Sequence, residues 1–582
     1  MYSLVLKINS LLKKGQKKSL LKILLLLLAG MILEIFGLSV IVPLLSSILD
    51  PEFLNFLRNL TYTDNFFTKL SNNEIIYFFL STIIIIYIIK TFLLLLITYR
   101  QNSFITKLAA ELTVDLYNLY VNQPYSFHLV KNSATLIKNI QTEITLFRSF
   151  CMSFLTLIVE SSLLISIIGT LIYLEPIGAI SVSIFFITFS YIIFSFTKNK
   201  LKNWGKIREK LDEKINYNIF EGIGGIKDLL ILGRTNFFKK RLLNNSYSIA
   251  GIRSKHLTFS QIPRYSLELI SVFGLVFFIS TMLFFEKDIN NIMITLGVFV
   301  AAIFRMIPSF NKVIAAMQNM KYYSRSIEVI HNEFSNLSKQ KKLKKQPSLI
   351  KVFKSKIKIK NLKYKYSEKL NYILNNINLN ISKGEFIGII GSSGSGKSTL
   401  VDLLMGLLTP SSGEICIDNI NINDDKSSWQ RKIGYVPQNI FLIDDSIKNN
   451  IAFGIEGDKI DELKLNKAIE ESQLKAFINS LEIGFETKVG ERGAQISGGQ
   501  LQRIGIARAL YNDPEILILD ESTASLDTLT ENGIMDSINK LKGEKTIIMI
   551  SHRFSSLKDC DKIYEIRDGK ILGEINKFKK HA

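Results

Sequence analysis

Six stretches in the first half of the chain are hydrocarbon for about the thickness of a bilayer: residues 20–46, 75–98, 149–174, 176–197, 262–285 and 290–316. A bilayer core takes about 20 apolar residues per helix, so the pattern predicts six transmembrane helices. The formal net charge is +21. Such an excess suits nucleic acid or an anionic membrane surface, and the apolar runs decide for the membrane. Six spans argue strongly against an ATPase that acts on nucleic acid. The three cysteines, Cys151, Cys416 and Cys560, have no metal spacing and form no disulfide framework, which fits reduced cytosol and lipid. The opening "KKGQKKSLLKILLLLLAGMILEIFGLSVIVPLL" has the basic flank of a signal peptide. Its apolar part is too long and no small-residue cleavage site follows, so it reads as a first membrane helix.

Loop charge alternates along the chain. Lys7, Lys13, Lys14, Lys17, Lys18 and Lys22 precede the first span, and the segment between the fourth and fifth is heavily basic. The positive-inside rule then puts both chain ends in the cytosol. The loops after the second and fourth spans are long and keep a helical period, so they read as membrane helices prolonged into the cytosol. On the outer side, "PEFLNFLRNL" spaces Phe53, Phe56, Leu57 and Leu60 along one helix face. It suits a short helix in the outer interface or one packed on the protein's own loops.

The membrane part is read as 1–325, a basic linker ("SKQKKLKKQPS" at its centre) as 326–355, and a soluble α/β part as 356–582. There the strand-like run "GEFIGIIG" leads into "GSSGSGKST": Gly391, Ser392, Ser393, Gly394, Ser395, Gly396, Lys397, Ser398 and Thr399. This is a P-loop. Its glycines let backbone N–H groups turn toward phosphate oxygens, and the helix that follows adds the positive end of its dipole. Lys397 is placed to reach the β/γ-phosphates of ATP and Ser398 to ligate Mg²⁺. "EILILDEST" is an apolar strand ending in Asp520 and Glu521. Asp520 suits a Mg²⁺ ligand, and Glu521 is placed to polarise an attacking water. "ISGGQLQRIGIARAL" sets a Ser-Gly-Gly turn at a helix start, a second anion-binding design.

With these residues in view, the chain resembles ABC exporter half-transporters over its whole length. "ISGGQ", with Ser497, Gly498, Gly499 and Gln500, is similar to the family signature Leu-Ser-Gly-Gly-Gln. "YVPQ" supplies Gln438 as the Q-loop glutamine, which the resemblance places at the metal and the reacting phosphate. "SLD" supplies Asp527 as the D-loop acid, and "ISHR" supplies His552 as the switch histidine. Tyr366 stands where the family stacks an aromatic on adenine. "TASLD" departs from the usual Ser-Ala-Leu-Asp but retains Asp527. "VGERG" resembles the exporter loop that touches the membrane domain, and "GIKDLLILGRTNFF" resembles the second coupling segment. The implied fold is a polytopic α-helical membrane domain of six transmembrane helices fused to an α/β P-loop NTPase of ABC type. The implied activity is ATP hydrolysis coupled to transport, with ATP and Mg²⁺ bound. Each ATP would lie between the P-loop of one chain and the signature of another. The chain must therefore dimerise, with a second copy of itself in preference to the alternative, a degenerate partner. The implied location is the bacterial inner (cytoplasmic) membrane, multi-pass.

Three intramembrane cations stand out: Lys90 in the second span, Arg264 in the fifth and Arg305 in the sixth. Each sits on a stripe of polar residues: Tyr87, Lys90, Thr91, Thr98 and Gln101; Gln261, Arg264, Glu268 and Ser271; Arg305, Ser309 and Lys312. Such stripes are expected to face the protein's cavity and to form a cationic belt in the dimer. Against this, Lys90 can snorkel, Arg264 can pair with Glu268, and Glu34 or Glu160 can neutralise the set. The belt suits a lipid head group carrying phosphate. The chain more specifically resembles the branch that flips polyprenyl-pyrophosphate-linked oligosaccharides, through "QPYSFHLVKNSATLIKNI", the outer segment after the first span and the placing of the three cations. That branch has arginine where this chain has Lys90. The alternative is an exporter of another lipid (lipid A type), a drug or a hydrophobic peptide. No peptidase extension precedes the first span, which does not favour a peptide-processing exporter.

Overall fold

Apolar runs continued by amphipathic ones should give helices much longer than a bilayer is thick, and they do. The computed structural model describes residues 2–40, 43–44, 47–48, 70–174, 176–284, 289–338, 352–368, 371–490, 493–521 and 528–575. The segment 53–60, the linker centre and Asp527 lie outside the described residues. The chain divides into two units, Met1–Gln123 with Phe127–Lys342, and Pro124–Ser126 with Leu343–Ala582.

The first unit is helical. Its helices are α1 (Tyr2–Leu11), α2 (Lys14–Ser39), α3 (Asn72–Val121), α4 (Ser133–Lys138), α5 (Ile144–Leu174), α6 (Pro176–Gly224), α7 (Thr235–Phe284) and α8 (Ile289–Ser338). Among the described residues, Asn72–Val121 and Ser133–Tyr173 are long and apolar enough to cross a bilayer. Ser71 starts α3 with a capping box, its hydroxyl accepting from the Glu74 N–H while the Glu74 carboxylate accepts from the Ser71 N–H. Beyond Gln101 the residues buried along α3 fall three or four apart: Ile105, Leu108, Leu112, Leu116 and Tyr120. They pack with Ile144, Phe147, Phe150 and Leu155 of α5 and Met320, Ile327 and Ile330 of α8. This core needs water around it to be driven by apolar burial, at about 1.5–3 kcal/mol per fully buried large side chain. A short helix, Ile226–Ile231, joins α6 to α7 and turns out at Gly233, where φ is +61°. Leu229 is buried there, while Leu230, Ile231 and Leu232 are exposed.

Helices α6 and α8 touch backbone to backbone. A methyl group on Gly205 would lie 2.3 Å from the Tyr322 carbonyl oxygen. Just below it Arg208 is 1% exposed, with its guanidinium over the Tyr322 ring at 5.1 Å and its Nε 3.6 Å from Asp212. Arg325 of α8 reaches back to Glu209 at 2.7 Å.

The second unit holds two sheets. In the six-stranded one the order is β10-β9-β3-β8-β7-β6. Its strands are β3 (Phe386–Ile390), β6 (Ile433–Val436), β7 (Ile516–Asp520), β8 (Thr546–Ser551), β9 (Lys562–Arg567) and β10 (Lys570–Glu574). β6, β7, β8, β3 and β9 run parallel, and only β10 is antiparallel. Every residue of β7 and β8 is buried, as continuous apolar runs require when both faces are covered. The second sheet is antiparallel in the order β2-β1-β4-β5, from β1 (Lys356–Tyr364), β2 (Leu374–Ser382), β4 (Ser412–Ile417) and β5 (Ile420–Asn421).

The close approach at Gly205 has a direct consequence. Gly205→Ala forces α6 and α8 apart and strains Arg208 in its pocket, for about 1–3 kcal/mol. The expected result is a melting temperature several degrees below wild type in detergent; an unchanged value would show that the helices yield freely.

Candidate functional site

Parallel strands in the order β3-β8-β7-β6 bring their carboxyl ends to one edge, and each end carries a sequence-predicted residue. The P-loop follows β3, His552 follows β8, Asp520 and Glu521 close β7, and Gln438 follows β6. Crevices at the carboxyl ends of parallel strands are where open α/β sheets bind ligands.

The P-loop wraps the start of α9 (Lys397–Leu404). Gly396 holds φ at +101° as its N-cap, and a Cβ there would also strike Leu374 at 2.7 Å. Only glycine fits both demands. Lys397 is 5% exposed, and its ammonium donates to the carbonyls of Gly391 and Ser392, each at 2.9 Å. Burial lowers its pKa, opposed by the Glu521 and Asp520 carboxylates. The Ser395 hydroxyl is buried without a hydrogen-bond partner. An orphaned hydroxyl, a buried cation and a helix N-terminus all converge where an anionic phosphate would satisfy them. Ser392, Ser393, Gly394 and Ser398 are exposed, and Thr399 is buried.

Glu521 is gripped from two sides. Gln438 Nε2 donates to its Oε2 at 2.7 Å, and His552 Nε2 lies 2.5 Å from its Oε1. Its backbone is left-handed, φ +47°, an uncommon state for a side-chain-bearing residue and a frequent mark of functional sites. Asp520 is buried, and burial first, then the Glu521 charge, raises its pKa. The Tyr435 hydroxyl donates to Asp520 Oδ2 at 3.4 Å. Burial and the Asp520 charge push Asp402 up to about 6.

Tyr366 follows β1 and is half-exposed, with its hydroxyl 3.2 Å from Thr399 Oγ1 and its ring edge-on to Tyr364. Ser497 caps α10 (Gly498–Leu510) in a capping box with Gln500, at 3.4 and 3.0 Å. The signature's own side chains thus cap its helix, leaving the N-terminal amides of Gly498 and Gly499 at its tip.

Among the described residues no cluster of three or more His, Cys, Asp or Glu could hold a metal alone. Mg²⁺ does not need one. It keeps waters and takes one or two protein oxygens plus phosphate oxygens. Asp520, Ser398 and the Gln438 amide oxygen are donors of that kind, since Gln438 spends its Nε2 on Glu521.

Sequence reasoning passed over Tyr435 and Asp402. Only the strand register shows Tyr435: it pairs with Ile518 across parallel strands, so it shares a face with Asp520 two residues on. On α3, Lys90 and Gln101 are buried, while Tyr87, Thr91 and Thr98 are exposed. Lys90 is 7% exposed with its ammonium 4.5 Å over the Tyr87 ring. Arg264 is exposed and paired with Glu268 at 3.3 Å. Lys312 pairs with Glu160 at 2.7 Å, and Ser309 is fully buried. The side chain of Arg305 lies outside the described residues.

Residues 374–524 match the ABC transporter family. The whole chain is similar in fold to a bacterial Atm1-family ABC exporter solved with ATP bound, at a TM-score of 0.77 and 20% identity, over 96% of this chain and 95% of that one. Curated relatives include a putative export ATP-binding/permease protein of Rickettsia typhi, 36% identical over 278 residues (47% of this chain, 46% of the relative). An ATP-dependent lipid A-core flippase of Aliivibrio fischeri is 39% identical over 224 residues, 38% of each. A leukotoxin export ATP-binding protein of Aggregatibacter actinomycetemcomitans is 43% identical over 220 residues (37% of this chain, 30% of the relative). The chain spans less than half the length of these relatives. The fold is thus that of an ABC exporter: a polytopic helical membrane domain followed by an ATP-binding cassette.

The grip on Glu521 gives a sharp expectation. Glu521→Gln removes the charge that orients water but keeps the shape, so ATP binding is retained and hydrolysis falls by about a hundredfold or more. Binding and turnover measured on one purified sample decide it. Hydrolysis near the wild-type rate removes Glu521 from that role.

Proposed function

We propose that this chain is one half of an ATP-driven flippase. Two copies move an amphipathic lipid, a polyprenyl-pyrophosphate-linked oligosaccharide, from the inner to the outer leaflet of a bacterial inner membrane, with both chain ends in the cytosol. The observation that carries the ATP-driven part is the alignment of Lys397, Asp520, Glu521, Gln438 and His552 along one sheet edge.

Lys397 leaves its two loop carbonyls for the β/γ-phosphates. Ser398, Asp520 and Gln438 would hold Mg²⁺, which neutralises phosphate charge when bound. Glu521 exchanges its bonds to Gln438 and His552 for the attacking water, and His552 turns to the γ-phosphate. The Ser497, Gly498, Gly499 and Gln500 segment of the second copy covers the nucleotide from the other side, with Asp527 at the seam. Tyr366 stacks on adenine. By its resemblance to a coupling segment, the stretch Gly225 to Phe238 would carry closure to α6 and α7 as a rigid-body movement.

For the substrate, the support is chemical: cations at membrane depth in Lys90, Arg264 and Arg305, and a lipid A-core flippase among the relatives. Lys90 is buried in this conformation, so contact with a head group requires the helices around it to part. The lipid A-type relative favours a second reading, export of that lipid class. Reconstitution with defined lipids separates the two by which one stimulates ATP hydrolysis and is flipped.

Lys90→Gln tests the head-group role. A charge-assisted bond is worth about 1.5–3 kcal/mol, so flipping should fall about tenfold or more while substrate-free ATP hydrolysis and melting temperature hold. Lys90→Arg should retain transport. Normal flipping in Lys90→Gln removes the role. A joint loss of expression, melting temperature and flipping assigns Lys90 to stability instead.

A further inference from the structure

The amino-terminal end of the membrane unit carries a surface that nucleotide and substrate leave unused. From Met1 to Leu33 there are six lysines and no acid. The structure sorts these lysines by face. On one side of the α1–α2 corner, Lys13 Nζ meets Asp115 of α3 at 2.6 Å and Gln16 Nε2 donates to Glu111 at 2.6 Å. The Lys13 N–H also donates to Gln16 Oε1 at 2.7 Å, which fixes the corner itself. Leu4, Ile8, Leu11, Leu12 and Leu20 pack against the core that α3, α5 and α8 share. The corner is therefore rigidly seated.

The opposite face is what the seating leaves out. Lys14, Lys17, Lys18 and Lys22 are all exposed. At 100° per residue they fall within one broad face of α2, and Leu21 and Leu25 continue that face, each 59% exposed. No acid stands in the first turn of α2. Lysines at a helix N-terminus oppose the helix dipole and repel one another, so the arrangement costs stability that nothing in its own helix offsets. A local conflict of this kind marks a place where an outside partner completes the design. The partner must be anionic opposite the lysines and apolar one to two turns further on. Nucleic acid meets the first condition only. The surface of a bilayer containing anionic phospholipid meets both, with phosphate at the lysines and acyl chains at the leucines.

We infer that Lys14, Lys17, Lys18 and Lys22 form a docking face for anionic phospholipid head groups of the cytosolic leaflet, which holds the α1–α2 corner at the membrane surface. This rests on the reading that α2 enters the bilayer from its lysine end, and not on the transported substrate or on ATP hydrolysis.

The test is the thermal stability of the full chain in nanodiscs of phosphatidylcholine, with and without phosphatidylglycerol, at low and high sodium chloride. Phosphatidylglycerol should raise the wild-type melting temperature by about 3 °C at low salt, and high salt should abolish most of that rise. Combining Lys14→Gln, Lys17→Gln, Lys18→Gln and Lys22→Gln should cut the rise by about half or more. The four matching arginine substitutions should keep it. An equal rise in the glutamine variant, or a rise indifferent to salt, overturns the inference. So does an equal rise from inorganic phosphate over pure phosphatidylcholine, which means a free-anion site. A rise from a short RNA but not from phosphatidylglycerol overturns it too. If the glutamine variant fails to insert, the wild-type salt comparison decides alone.

Discussion

The ammonium of Lys397 sits almost wholly out of water at the first residue of a helix. Burial and the helix dipole both work against a positive charge there. Two backbone carbonyls hold it in place, and the acids at the end of β7 give it distant support. What would complete it is a strong anion touching the ammonium, the loop amides and the Ser395 hydroxyl together. Three phosphates in a row are that anion. The sheet serves this one need, because its parallel strands end side by side and deliver Asp520, Glu521, Gln438 and His552 to the same edge. The same physics recurs at the other end of the chain, where lysines again crowd a helix N-terminus with no acid of their own helix beside them. In both places a charge is set against its helix, and an anion from outside would resolve the conflict.

The membrane unit follows another constraint. Hydrocarbon offers a helix no reason to pack, so membrane helices need specific contacts. The buried ladder of α3, α5 and α8 and the close crossing of α6 and α8 at Gly205 supply such contacts. The buried Arg208, Asp212 and Tyr322 group sits at that crossing and holds charge where sliding would expose it.

Legibility in the sequence followed the distance over which each feature is encoded. The P-loop and the acids after β7 were plain, because glycines, a lysine and a strand-end acid pair are written in a few consecutive letters. The long helices were plain too, because apolar runs give way to a helical period without a break. The grip on Glu521 needed strand order, which brings together Gln438 and His552 from 114 positions apart (552 − 438). Tyr435 needed the register of β6 against β7. The helix stripes were legible as periodicity alone. Periodicity assigns residues to a face, but only the neighbouring helices decide whether that face is open, and they bury Lys90 and leave Thr91 and Thr98 out.

The central claim is that each nucleotide is shared between two chains, because one chain's signature caps its own helix and offers its amides outward. Two variants, Lys397→Ala and Ser497→Arg, test it most directly when each is purified alone and then coexpressed with the other. Each alone should hydrolyse ATP at a few per cent of wild type or less, on the order of a P-loop or signature loss. In the mixed dimer, one site combines both defects and the other has neither. Coexpression should therefore restore hydrolysis to a readily measured fraction of wild type. If the mixture stays as inactive as either variant alone, each chain closes its own site and the shared-site account is wrong.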